Sequence, residues 1–85
     1  LTPKSRLLKA ELYFAQDKIS QAIELLESAF EQARIDYDTR TAIEAALKLY
    51  QLTVNNPAVQ AEYLAYLEIH ANRDWLRDNL IAGNG

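Results

Sequence analysis

The sequence predicts an all-α fold of antiparallel helical hairpins, and three observations predict it. The strong breakers lie at the margins or at helix starts. Gly83 and Gly85 end the chain, while Pro3 and Pro57 each follow a capping type, Thr2 and Asn56. Residues 4–54 hold no strong breaker, and β-branched residues are few and never alternate with period two. Apolar residues instead recur at i, i+3, i+4 and i+7, the stripe of a helix with one buried face.

The first helix is expected over about 3–16, with Leu7, Leu8, Leu12, Tyr13 and Phe14 apolar. Proline suits its first position because the missing N–H would have no partner there. Asp17-Lys18 is the break, with Asp17 placed to cap the next helix. The second helix, about 18–34, carries Ile19, Ala22, Ile23, Leu26, Ala29, Phe30 and Ala33 on one stripe. Gln21, Glu24, Glu27, Ser28, Glu31 and Gln32 supply its wet side. Asp36-Tyr37-Asp38-Thr39 is a turn with Asp36 or Asp38 as cap. The third helix, about 39–53, is apolar over most of its circumference and should be the central element. After Val54-Asn55-Asn56 a fourth helix starts at Pro57 and runs to about Leu80, with a kink or break near Asn72. Gly83 is expected beyond any helix, with a frayed Gly-Asn-Gly end. The short turns make neighbouring helices antiparallel.

Eighty-five residues make one small domain. Its 49% apolar and 25% charged residues are the balance of an ordinary soluble globular protein, not a disordered one. The formal charge of -3 argues against nucleic acid, which needs a basic field. No apolar run approaches a membrane span of roughly 18 residues. The chain has no cysteine, which removes disulfides and thiolate metal sites and suits cytoplasm, with periplasm as the other fitting compartment. It also has no methionine, even at position 1, and so reads as a piece of a longer protein.

Nothing in the chain points to catalysis. It has no nucleophile elbow, no phosphate-cradling glycine loop and no paired histidine and nucleophile. His70, even with Glu68 and Asp74 nearby, is a weak metal set and reads as a helix-surface residue. Asp36 and Asp38 are turn residues, since the twelve-residue calcium-loop pattern fails. The expectation is a non-enzyme without cofactor or metal.

The hairpins carry a trace of repetition. Ala10, Tyr13, Ala22 and Ala29, shifted by thirty-six residues, fall on Ala46, Leu49, Ala58 and Ala65. Small residues belong where antiparallel helices cross closely. In type and spacing, Ala10, Tyr13, Ala22 and Ala29 resemble the tetratricopeptide repeat, a helix-turn-helix unit of about 34 residues. Repeat one would cover about 3–36 and repeat two about 39–72, with about 73–81 as a cap or helical extension. The chain departs from the pattern at Lys9, at Asp17-Lys18 in place of the turn glycine, and at Arg34 in place of the closing proline.

The resemblance implies a short right-handed superhelix that binds a protein or peptide in a groove lined by the first helix of each repeat. It also implies a larger, regulatory, bacterial parent protein. Carried over residue by residue, the groove takes Lys4, Leu8, Glu11 and Ala15, then Arg40, Glu44, Leu47 and Gln51. Lys4 and Arg40 would meet an acidic peptide or a C-terminal carboxylate. Two groove positions that hold asparagine in chaperone-binding members hold Leu8 and Glu11 here. Apart from the resemblance, Tyr63, Tyr66 and Trp75 are interface candidates, since each joins a large apolar area to a polar tip. Trp75, Leu76, Leu80 and Ile81 form a candidate end face. The alternative to a scaffold module is an oligomerisation domain that self-pairs through its C-terminal helix.

Overall fold

The computed structural model describes residues 2–84, and the side chains of residues 2–80. It is all-helical: α1 (Pro3–Ala15), α2 (Ile19–Ile35), α3 (Thr39–Leu52), α4 (Pro57–His70) and α5 (Arg73–Asn84). The helix extending from Pro57 to about Leu80 is therefore two helices. Ala71 is extended (φ -88°, ψ 153°), and Asn72 starts α5 by accepting from the Asp74 and Trp75 N–H groups at 2.9 and 3.1 Å. An Asx cap supplies the partners that a continuous helix would have supplied, so the break is stable. Gly83 lies inside α5 rather than beyond it. A glycine costs about 1 kcal/mol there relative to alanine, which a last turn tolerates. The expectation of a frayed end at Gly85, and of contact through the Ile81 side chain, lies outside the described residues.

The other ends are set by local chemistry. Thr2 caps α1 by accepting from Ser5 N–H at 3.1 Å, and Asp38 caps α3 by accepting from Thr41 N–H at 3.3 Å. Asn56 makes no side-chain cap bond, and α4 starts on Pro57 alone. Asp17 does not cap α2. It sits at φ 62° and closes α1, where the Lys18 N–H donates to the Tyr13 carbonyl at 2.8 Å and the Asp17 N–H to the Phe14 carbonyl at 3.0 Å. The same double closure ends α2, with Tyr37 at φ 59°, Asp38 N–H on Ala33 at 2.8 Å and Tyr37 N–H on Arg34 at 3.3 Å. Both are Schellman motifs.

A tyrosine in the left-handed region is strained, by roughly 1–2 kcal/mol for an L-residue. Tyr37 is 90% exposed, so its ring recovers little of that by burial. Tyr37→Gly is expected to raise the unfolding free energy by about 0.5–1 kcal/mol, after the larger unfolded-state entropy of glycine. The urea midpoint would rise at unchanged slope. A fall in midpoint would show that the ring makes a stabilising contact.

Adjacent helices pack in sequence order, and α1 also touches α3. Polar contacts fix their directions. Arg6, early in α1, donates to Ser28 Oγ, late in α2, at 2.8 Å, which makes α1 and α2 antiparallel. Gln60 donates to the Tyr50 carbonyl at 3.0 Å across the α3–α4 turn, and Thr53 Oγ1 closes α3 on the Leu49 carbonyl at 2.7 Å. The core is built from Leu7, Leu26, Leu49 and Leu67, with Ala10, Ala22, Ala29, Ala33, Ala42, Ala45 and Ala46 fully covered between them. α3 is the central helix, as its wide apolar surface predicts. The repeat signal divides at α4. Ala10, Ala22, Ala29 and Ala46 are buried, whereas Ala58 and Ala65 face solvent and make no helix crossing among the described residues.

Candidate functional site

Two faces of the molecule gather the candidate side chains. The first is the α1–α3 face. Lys4 Nζ lies 3.4 Å from Glu44 Oε2, and Lys48 Nζ lies 3.4 Å from Glu11 Oε1. Residue numbers rise together in the two pairs, so α1 and α3 run parallel. Four of these charges are thus spent on one another, in exposed pairs worth about 0–1 kcal/mol each. Lys48, absent from the sequence expectations, is the partner that Glu11 needed. On α1 beside them Leu8 and Leu12 are exposed by 52% and 62%, which adds apolar surface to the charged pairs.

At one edge of this face lies a cleft of about 380 Å³ lined by Arg40, Ile43, Glu44, Ala71, Asn72 and Trp75. It exists because the break at Ala71 turns α5 so that Trp75 comes beside the first turns of α3. Arg40 makes no ion pair among the described residues. The cleft therefore offers one free guanidinium next to an apolar wall of Ile43 and Trp75. Gln51 is exposed near the far end of α3, in a shallower cleft with Phe14, Lys48 and Leu52. Leu76 is 8% exposed and belongs to the core, and Leu80 is half-buried against it. Of the expected end face only Trp75 and Leu80 keep accessible surface among the described side chains.

The second face lies between α2 and α4. Phe30 takes Tyr63 and Tyr66 edge-on, with ring centroids 5.5 and 4.9 Å away. These rings floor a cleft of about 330 Å³ whose rim is Glu27, Glu31, Arg34 and Glu62. Arg34 lies with its guanidinium carbon 5.3 Å from the Phe30 centroid and 5.9 Å from the Tyr66 centroid, and it donates to Glu31 at 3.0 Å. Burial raises the Tyr63 phenol pKa above its ordinary value of 10.0, and the charges of Glu27, Glu62 and Glu31 raise it further. Burial also raises Tyr66, with Arg34 pulling the other way. Arg34 and Tyr66 pass into a neighbouring cleft with Tyr37, Ile69 and His70, where the Tyr66 and His70 rings lie 4.3 Å apart.

The structure thus brings Arg40, Glu44 and Trp75 together and links Lys4 to them through Glu44. It places Tyr63 and Tyr66 on a separate face. The sequence expectations missed Glu27, Glu62 and Arg34 as site residues. Glu31 and Arg34, three apart on one helix, were the legible signal. No group of histidine, aspartate and glutamate among the described residues is placed to hold a metal ion. Among the described residues no helix is long and apolar enough to cross a membrane. Compared with family models, curated proteins and solved structures, the chain matches none.

Proposed function

We propose that this chain is a non-enzymatic helical-repeat module that mediates protein–protein contact within a larger regulatory protein of bacterial type. Its partner is a protein or peptide, and it binds on the α1–α3 face. The observation that carries the reading is the cleft in which Arg40, Glu44 and Trp75 meet. A free guanidinium beside an aromatic wall suits a carboxylate with an apolar neighbour, since arginine pairs carboxylates through two parallel N–H bonds. The tetratricopeptide-like stacking would make this face the concave one, and the parallel run of α1 and α3 supports that geometry.

The test is photo-crosslinking in the host cell, with the crosslinking residue placed at Leu8, at Gln51 and, as control, at Ser20 in the first turn of α2. Protein adducts at positions 8 and 51 that disappear when Trp75→Ala is added are expected. Adducts no more frequent than at position 20 would sink the reading.

A second reading rests on α4. Ala58, Ala61, Ala65 and Ile69 lie within one strip of that helix and all face solvent. A strip of small and apolar residues lets a second helix approach closely. Self-pairing through the C-terminal helices is the function this would serve. Light scattering at high protein concentration decides it: a monomer removes the oligomerisation reading.

A further inference from the structure

The α2–α4 face has a chemistry of its own, opposite in sign to the Arg40 cleft. Its floor is aromatic, and its rim holds three carboxylates against one guanidinium. Arg34 shows how that floor takes a cation: its guanidinium is over Phe30 and Tyr66 while Glu31 holds it at 3.0 Å. This internal pair occupies one end. At the other end Glu27 and Glu62 flank Tyr63 and make no ion pair among the described residues. The rim therefore carries two uncompensated negative charges beside an open aromatic surface. Rings attract cations through their negative faces, and a neighbouring carboxylate adds to that attraction.

The surface also continues past Arg34 and Tyr66 onto exposed Ile69 and Tyr37, 75% and 90% accessible. A small free cation would leave these apolar residues uncovered. A polypeptide that delivers a basic side chain to Tyr63 can cover them with its next apolar residues.

We propose that the groove between α2 and α4 is a docking site for a partner's basic segment, with one lysine or arginine side chain laid against Tyr63 between Glu27 and Glu62. The inference rests on the interaction-module reading only for the occupant being a protein. It concerns a different face and a partner group of opposite charge.

The test is a nitrogen–proton NMR titration of the chain with the capped peptide acetyl-Ala-Arg-Ala-Ala-Leu-Ala-amide. Shifts at Glu27, Phe30, Glu62, Tyr63 and Tyr66 are expected, saturating at millimolar peptide or below. Affinity should fall as NaCl rises from about 50 to about 300 mM, because exposed charges are screened over that range. It should fall roughly fivefold with the peptide's arginine replaced by glutamine, and by a similar factor for the Glu27→Gln/Glu62→Gln chain. Both glutamates are exposed, and an unchanged circular-dichroism melt confirms that the variant is folded. Equal binding by the glutamine peptide or by the variant would overturn the charge recognition. Binding of acetyl-arginine-amide as tight as the peptide's would overturn the protein occupant. Shifts confined to Leu8, Arg40 and Trp75, or no shifts at millimolar peptide, would overturn this groove. The first of those two results leaves the module reading standing.

Discussion

Leu49→Ala is expected to destabilise the protein by about 2–5 kcal/mol, a large fraction of a small domain's net stability. Leu49 is fully buried on α3, the helix that packs against α1, α2 and α4 at once. Truncation there removes the transfer free energy of the lost carbons. It also leaves a cavity in the core cluster, which the surrounding helices close only in part. Small domains have a net stability of only about 5–15 kcal/mol, so a change of this size is a large share of it. Urea unfolding followed by far-ultraviolet circular dichroism measures the change. Leu12→Ala is the control, because Leu12 is 62% exposed and its loss should cost within about 0.5 kcal/mol. A loss below about 1 kcal/mol for Leu49→Ala would mean that α3 is not the centre of the core.

The second large effect has the opposite chemistry. Ala29→Leu is expected to cost about 1–3 kcal/mol, because Ala29 is fully covered and the added carbons have no room. Its counterpart at the thirty-six-residue shift is Ala65, which faces solvent on α4. Ala65→Leu is expected to stay within about 0.5 kcal/mol, leucine and alanine both being good helix formers. Thermal melts of the two variants compare the halves of the repeat energetically. Equal costs would show that α4 also crosses a neighbour closely at Ala65.

Much of the secondary structure could be read directly, because its causes are local. Thr2 and Asp38 cap the helices that they precede, and Pro57 opens α4. Asn72 marked a break that the hydrophobic stripe alone ran straight through. The turns were less legible. Asp17 read as a cap for α2, yet it closes α1 at a positive φ that glycine would ordinarily signal. Tyr37 carried no such signal at all, since a tyrosine gives no local reason to adopt that conformation.

The candidate sites were legible in part. Arg40 and Glu44 were named together as groove residues and Trp75 apart from them, and the fold joined the three across thirty-five residues of chain. Lys4 was expected as a free cation and is paired with Glu44. The α2–α4 groove was legible only as two tyrosines, because its acids read as solvated helix face. Glu27 and Glu62 are thirty-five residues apart, and only the packing of Phe30 on Tyr63 and Tyr66 makes them two sides of one cleft.

By itself the sequence determined that this chain is helical, where most of its helices begin, which face of α2 turns inward, and that α3 is apolar nearly all round. Those properties follow from 3.6-residue periodicity and capping, which act within a turn or two of chain. Tertiary structure alone decided which alanines lie at crossings, which charges neutralise each other and which stay free. Those depend on the direction that each helix takes out of its turn. At two turns that direction is set by left-handed residues, Asp17 and Tyr37, held by the double hydrogen-bonded closure of the helices that they end.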